Sequence, residues 1–459
     1  MMEKQQRENN RWGSEIQDYW MEIIDSKKSQ NGMYKLNWEF LFIKIRKTWI
    51  GNIIFQIYDK NEKPLSKIKP MDLIDKNFVK IEKQTVNLTI DIKRKYIYVK
   101  AILQCRNCNE LIKEMLIRIN HGLKMKTALV NGRECEFYEV DDCNNAIKII
   151  FNQHILKNEK YEIALEYCGV PIMRKPSFWG ENTFAFSEES MVLPCCNLFP
   201  KDWYNLTLSV NMRRNIDLIS NGERVTYRNW YNQYKNSGIC LIGGKFNTLL
   251  YKNKKCNVWI YYTDIFKSKL KYLENELEKL IWYYSMLFGE FPWKQIKLIC
   301  SMEIPICFIN GDCIVLNRMD KLAMSHEMAH IWWGGCIKGN GPEWKMFHEG
   351  FAELFSDIYM GIESKLQEND IEKLIDEYLK LESSINEKNY DLIYHVSCEV
   401  DENEIENYKL YILQIVGKVG VKVFLQRARY LIRRYMFSNV DVEYVWDTLR
   451  YGENGNNSN

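Results

Sequence analysis

The 459-residue chain is poor in histidine, with six, and in proline, with nine. With so few imidazoles, any local cluster of them is informative. Long apolar runs are missing. The most apolar stretches, such as residues 280–284 and 412–416, fall far short of the roughly 20 residues that cross a bilayer, so no membrane insertion is expected. The first ten residues are polar and charged. They carry no secretory signal, which points to a cytoplasmic protein. Charge of one sign is also lacking: 63 Lys and Arg stand against 60 Asp and Glu, for a net charge of +3. No basic block calls for nucleic acid or an anionic membrane as partner. No repeat of solenoid period is present. There are fourteen cysteines but no second C-x-x-C after Cys105-x-x-Cys108, and Cys135 and Cys143 are eight positions apart. A closed cysteine zinc site needs four well-spaced ligands. The thiols, the vicinal Cys195-Cys196 included, therefore read as reduced, small hydrophobes.

What is present is a folded composition, 46% hydrophobic and 14% aromatic, long enough for two or three domains. The pattern indicates a multi-domain α+β chain. Residues 1–80 form an extension of uncertain structure; 11–26 has helical spacing, and 38–58 could be strands or a helix. Residues 81–255 are β-rich. Val86, Leu88, Ile90 and Ile92 alternate with polar residues. Similar runs at 95–103, 114–120, 146–151, 161–167 and 206–211, with Asn, Gly and Asp turns between them, suggest a saddle- or sandwich-like sheet domain. Residues 256–452 form a second, mainly helical domain, opening with a strand at 257–262 and a helix over 265–288 that Gly289 and Pro292 end. The Asn-rich 453–459 is a frayed tail.

The second domain carries the chemistry. His326-Glu327-Met328-Ala329-His330 is an H-E-x-x-H pattern. On a helix it sets two imidazoles one turn apart on one face, where both reach one zinc ion, and makes the glutamate a general base. A catalytic zinc takes a third protein ligand and keeps a position for water. Glu349 follows His330 by nineteen residues in a second helix-like run over 346–360, and is the candidate. His348, beside it, could be a partner of the ligands or a solvated helix histidine. Asp357 reads as a surface carboxylate, and Trp332 and Trp333 as core packing. His121, His154 and His395 lack metal-like spacing.

His326-Glu-x-x-His330-x-Trp332-Trp333-Gly334, followed by Glu349-Gly350-Phe351-Ala352-Glu353, resembles the gluzincin zinc aminopeptidases, the aminopeptidase N and leukotriene hydrolase family. The resemblance covers about residues 85–450 and is strongest at 288–353. It implies a thermolysin-like catalytic domain binding one Zn2+ per chain and hydrolysing a peptide or protein substrate with a free N-terminus. Cys300-Ser301-Met302-Glu303-Ile304 is similar to the family's G-x-M-E-N motif, 23 residues before His326 in the case of Glu303. Ser301, Met302 and Glu303 would then line the substrate site, Glu303 holding the α-ammonium group. Cys300 and Ile304 depart from the motif, and a cysteine in place of glycine is expected to narrow the approach of substrate to an edge strand. The family's catalytic tyrosine lies in Y-x-K-G. Tyr408 is the closest match here, while counting back from Gly420 puts Ile405 at that position. The family's C-terminal helical domain does not follow, which implies a short form with a more open cleft. Two other readings stand beside the aminopeptidase: a processing endopeptidase, and a zinc-binding protein with little or no turnover.

Overall fold

The computed structural model describes residues 79–108, 111–140, 146–196, 203–212, 216–232, 238–340, 344–366, 371–383 and 402–452, together with the backbone of three earlier strands, Gly32–Lys35, Leu41–Lys47 and Ile53–Asp59. Those three pair antiparallel in chain order, so the ambiguous 38–58 stretch contains strands. The helix expected over 11–26 and the tail lie outside the described residues.

Alternation decides the first half. In the strand Val79–Asp91, Val86, Leu88 and Ile90 are buried while Asn87 and Thr89 face out, the period-2 signature of a sheet with one covered face. An eight-stranded sheet runs, in spatial order, Glu223–Thr226, Asn229–Tyr231, Asn205–Met212, Val79–Asp91, Tyr96–Asn107, Lys160–Gly169, Leu123–Val130 and Arg133–Glu134. Most neighbours are antiparallel, but Asn205–Met212 pairs parallel to Val79–Asp91. A three-stranded sheet (Leu111–Arg118, Ala146–Leu156, Phe137–Val140) shares its hydrophobic core, which spans Val79 to Leu241. A four-stranded sheet of Phe178–Trp179, Phe184–Phe186, Leu241–Gly244 and Asp217–Ser220 faces the second half.

The second half mixes sheet and helix more evenly than its sequence suggests. Its five-stranded sheet has the spatial order Asn247–Tyr251, Asn257–Tyr262, Gln295–Cys300, Cys313–Leu316, Phe308–Asn310. Helices follow as α1 (Leu270–Phe288), α2 (Lys321–Ala329), α3 (Trp344–Ile362), α4 (Ile371–Ser383), α5 (Glu402–Val419), α6 (Val421–Tyr435) and α7 (Val442–Tyr451). In α1, Leu273, Leu277, Leu280, Ile281, Tyr284 and Phe288 are buried, the i, i+3, i+4 stripe of a helix lying on a core. A 3-10 turn, Asp264–Lys269, takes up the first residues expected to be helical. This half has its own core, from Cys256 to Leu449.

Where the halves meet, Ala185, Ile219, Cys240 and Ile242 pack against Ile299, Ile304, Phe308, Cys313 and Val315. Beside this apolar patch, Lys297 Nζ bonds Asp312 Oδ2 and the Gly222 carbonyl, each at 2.6 Å, and Gly222 N donates to Asp312 Oδ1 at 3.0 Å. A second buried pair, Lys338–Glu188 at 2.7 Å, also joins the halves.

Candidate metal centre and substrate site

The helix bearing the motif is fixed before its chemistry begins. Asp320 caps α2 by accepting from Ala323 N at 2.8 Å. Tyr284 of α1 donates to the Ser325 carbonyl at 2.8 Å, one residue before His326. Trp332 and Trp333, both fully buried, lie beyond its end. Trp332 packs on Tyr284, Phe288 and Phe291, and Trp333 stacks on Phe351 of α3 with centroids 4.1 Å apart. The two indoles thus lock α2 against α1 and α3, as core residues.

That packing brings His326, His330 and Glu349 together, with one ligand atom from each lying within 4.8 Å of the others. His326 Nε2 is 3.0 Å from His330 Nε2 and 3.2 Å from Glu349 Oε2, and His330 Nε2 is 3.4 Å from that oxygen. Bonds of about 2.0–2.1 Å at tetrahedral angles place ligand atoms about 3.3 Å apart, so the trio fits a zinc ion. Both Nδ1 atoms are held from behind: His330 Nδ1 by the Trp333 carbonyl at 3.1 Å, His326 Nδ1 by Glu353 Oε2 at 3.3 Å. Such bonds leave each Nε2 lone pair for metal. Among the described residues no other group of His, Cys, Asp and Glu converges in this way, the cysteines included.

The electrostatics agree. Burial alone would push the Glu349 carboxyl up, but His330 and His326 beside it outweigh burial and hold it well below the ordinary carboxylate range. Burial alone would push His326 down, but Glu349 and Glu353 outweigh it and raise the imidazole to about 10. Without metal, this is a site where a proton takes the place of a cation. Glu327 differs. Burial pushes its carboxyl up, against the neighbouring imidazoles, and its Oε2 is buried with no hydrogen-bond partner among the described residues. Such an oxygen is costly unless water or substrate meets it. Glu353 was not singled out by sequence reasoning. Its signal was a second carboxylate one turn after Glu349 on the same helix face.

The expected substrate residues stand at the end of Gln295–Cys300. That strand is interior, flanked by Asn257–Tyr262 and Cys313–Leu316, so it is not the expected edge; the outer strands of the sheet are Asn247–Tyr251 and Phe308–Asn310. Cys300 and Ile304, the two departures from the motif, are fully buried. The Cys300 side chain belongs to the core of the second half and that of Ile304 to the patch between the halves, so neither narrows an open surface. Ser301 is buried, and its hydroxyl accepts from Glu303 N at 3.3 Å. Met302 is 61% exposed. Glu303 is exposed, and its carboxylate accepts from the Thr183 hydroxyl of the first half, a partner 120 residues away that no local pattern reveals.

Tyr408 is buried on α5, where its ring lies 6.3 Å from Trp446 and its Cβ faces Gly350. Ile405 lies one turn earlier on the same helix, half-buried. Asp357 is no bare surface carboxylate: it is half-buried and paired with Lys409 at 2.7 Å. His348 is also largely buried and touches His330.

No protein-family profile matches the sequence, and no curated protein matches it. The fold resembles that of solved two-domain M1 zinc metallopeptidases. The M1 zinc metallopeptidase from Deinococcus radiodurans superposes with a TM-score of 0.66 at 14% identity, over 83% of this chain and 93% of that one. A mutant of it bound to a Tyr-Ser-Ala substrate gives 0.63 at 15% identity, over 82% and 92%. A two-domain M1 zinc metallopeptidase mutant bound to L-tryptophan gives 0.66 at 15%, over 83% and 93%.

Proposed function

We propose that this protein is a cytoplasmic zinc metallopeptidase that removes N-terminal residues from peptides or proteins, holding one Zn2+ per chain at His326, His330 and Glu349. In this reading residues 1–80 are an extension, 81–255 a β-rich domain, 256–452 a thermolysin-like catalytic domain and 453–459 a tail. The observation that carries it is the convergence of these three ligand atoms next to the unpartnered, buried oxygen of Glu327. When bound, zinc supplies a Lewis acid that polarises the scissile carbonyl and lowers the pKa of a water to about 7. Glu327 takes the proton of the attacking water and hands a proton to the departing amine. Burial raises its carboxyl above the ordinary carboxylate range, which favours holding that proton between the two transfers. Glu303 holds the substrate α-ammonium, with Ser301 and Met302 beside it, and so sets the distance from N-terminus to scissile bond. Tyr408 is assigned the phenol that donates to the oxyanion; it meets α3 at Gly350, the residue after Glu349.

The test is zinc content and hydrolysis measured on one preparation. One zinc per chain is expected, with cleavage of a free-N-terminal peptide lost on chelation and restored by zinc. Zinc without cleavage would support a binding protein instead, and cleavage unaffected by removing zinc would contradict the reading.

A further inference from the structure

Three imidazoles, not two, stand at this centre. His348, on α3 beside Glu349, has only 13% of its side chain exposed. Its Nδ1 is 3.2 Å from His330 Nδ1, the side of that ring turned away from the ligand cluster. His330 Nε2 is the atom that faces His326 and Glu349, so His348 is not a further ligand. It touches the ligand from behind.

The histidine is held in that position from two sides. Trp344, one helical turn earlier on α3, stacks on it with centroids 4.4 Å apart and planes at 25°. Gly334 closes the other side. Its φ of +111° lies in the region that disfavours a side chain, and a Cβ there would stand 3.1 Å from His348 Nδ1. Trp344 is itself fixed, because the Lys338 ammonium sits 5.4 Å from its ring centre, within cation–π range. Lys338 is clamped by Glu188 of the first half at 2.9 and 2.7 Å. A continuous column therefore runs from Glu188 through Lys338, Trp344 and His348 to His330.

We propose that His348 is a positioning residue for the metal ligand His330, itself held in place through this column. The inference rests on the zinc reading above. With a lone pair on His330 Nε2 for metal, the ring proton sits on Nδ1 and has two acceptors, the Trp333 carbonyl at 3.1 Å and His348 Nδ1 at 3.2 Å. In this arrangement His348 accepts at Nδ1, which also lies 3.8 Å from Glu349 Oε1, and carries its proton on the buried Nε2. Two acceptors on one donor restrain the ligand ring and raise its basicity toward metal.

The test compares zinc dissociation constants, by chelator competition at fixed pH, for the full-length wild type and three variants: His348→Phe, His348→Ala and His348→Gln. The melting temperature of each metal-free protein is recorded alongside. Phe keeps the stack on Trp344 but has no acceptor, Ala removes both, and Gln offers an acceptor oxygen. On the scale of such outer partners, Phe and Ala are expected to weaken zinc binding about 10–100-fold; Phe, which keeps the stack, leaves the metal-free melting temperature in place, whereas Ala lowers it by opening a cavity against Trp344. Gln is expected to stay within about threefold of wild type. Wild-type zinc binding with all three variants unchanged would overturn the positioning role alone, as would losses that follow the melting temperature rather than the acceptor. A wild type that takes up no zinc would overturn the site itself. If Phe does not fold, the Ala–Gln contrast decides.

Discussion

At the scale of single residues, the site is a contest between protons and metal. His326 is raised to about 10 by Glu349 and Glu353 against the opposing effect of burial, so below that pH the metal-free ring carries an extra proton. Zinc must expel it. Zinc affinity is therefore expected to tighten by about tenfold per pH unit between roughly pH 6.5 and 8.5; a dissociation constant flat with pH would show that His326 is not a ligand. Tyr408 makes a separate prediction. As the oxyanion donor, its replacement by Phe should lower kcat by about 10²–10³-fold with little change in KM. An unchanged kcat would return Tyr408 to packing against Trp446. The convergence of His326, His330 and Glu349 was legible in the sequence because H-E-x-x-H and the later glutamate are local patterns. Glu353 was legible in principle, one turn beyond Glu349. The burial of Cys300 and Ile304 was not, because a motif says which residues follow one another and not which face of a strand meets a core.

At the scale of elements, α3 is the central member. It supplies Glu349, Glu353 and His348, and its Phe351 is enclosed by Trp333, Phe347, Phe355, Phe424 and Trp446. Helix α5 approaches α3 closely at Gly350, where a Cβ would stand 2.8 Å from Tyr408 Cβ. Neither atom is the free end of a flexible side chain, so Gly350→Ala forces the helices apart. It is expected to cost about 1–3 kcal/mol in denaturant unfolding, and a stability equal to wild type would mean that α5 is not seated there. Helix α1 and the long strands of the first half could be read from period alone. The start of α1 and the mixed five-stranded sheet could not. A 3-10 turn shares the hydrophobic spacing of a helix start, and short buried strands such as Cys313–Leu316 lack alternation because both faces are covered.

At the scale of the whole molecule, the two cores meet through an apolar patch flanked by buried charge. Lys297 and Asp312 have side chains only 6% and 7% exposed, and Gly222 of the first half bonds both. Removing one partner of such a pair leaves an uncompensated buried charge. Lys297→Met is expected to lower unfolding stability by about 3–5 kcal/mol, and a loss below about 1 kcal/mol would show that the junction does not depend on it. None of these cross-links was visible in the sequence. Thr183 and Glu303 are 120 residues apart, Glu188 and Lys338 150, and no short-range pattern joins them. Among the described residues no helix is long and apolar enough to cross a membrane.

The central claim is that Glu327 and the zinc ligands cut a peptide at a distance that Glu303 measures from its N-terminus. The most direct measurement is mass spectrometry of one peptide, free or acetylated at its N-terminus, incubated with zinc-loaded wild type and with a Glu327→Gln control. The account predicts stepwise loss of single residues from the free peptide alone, and none with the control. Internal cuts in both peptides, or cleavage that survives Glu327→Gln, would contradict it.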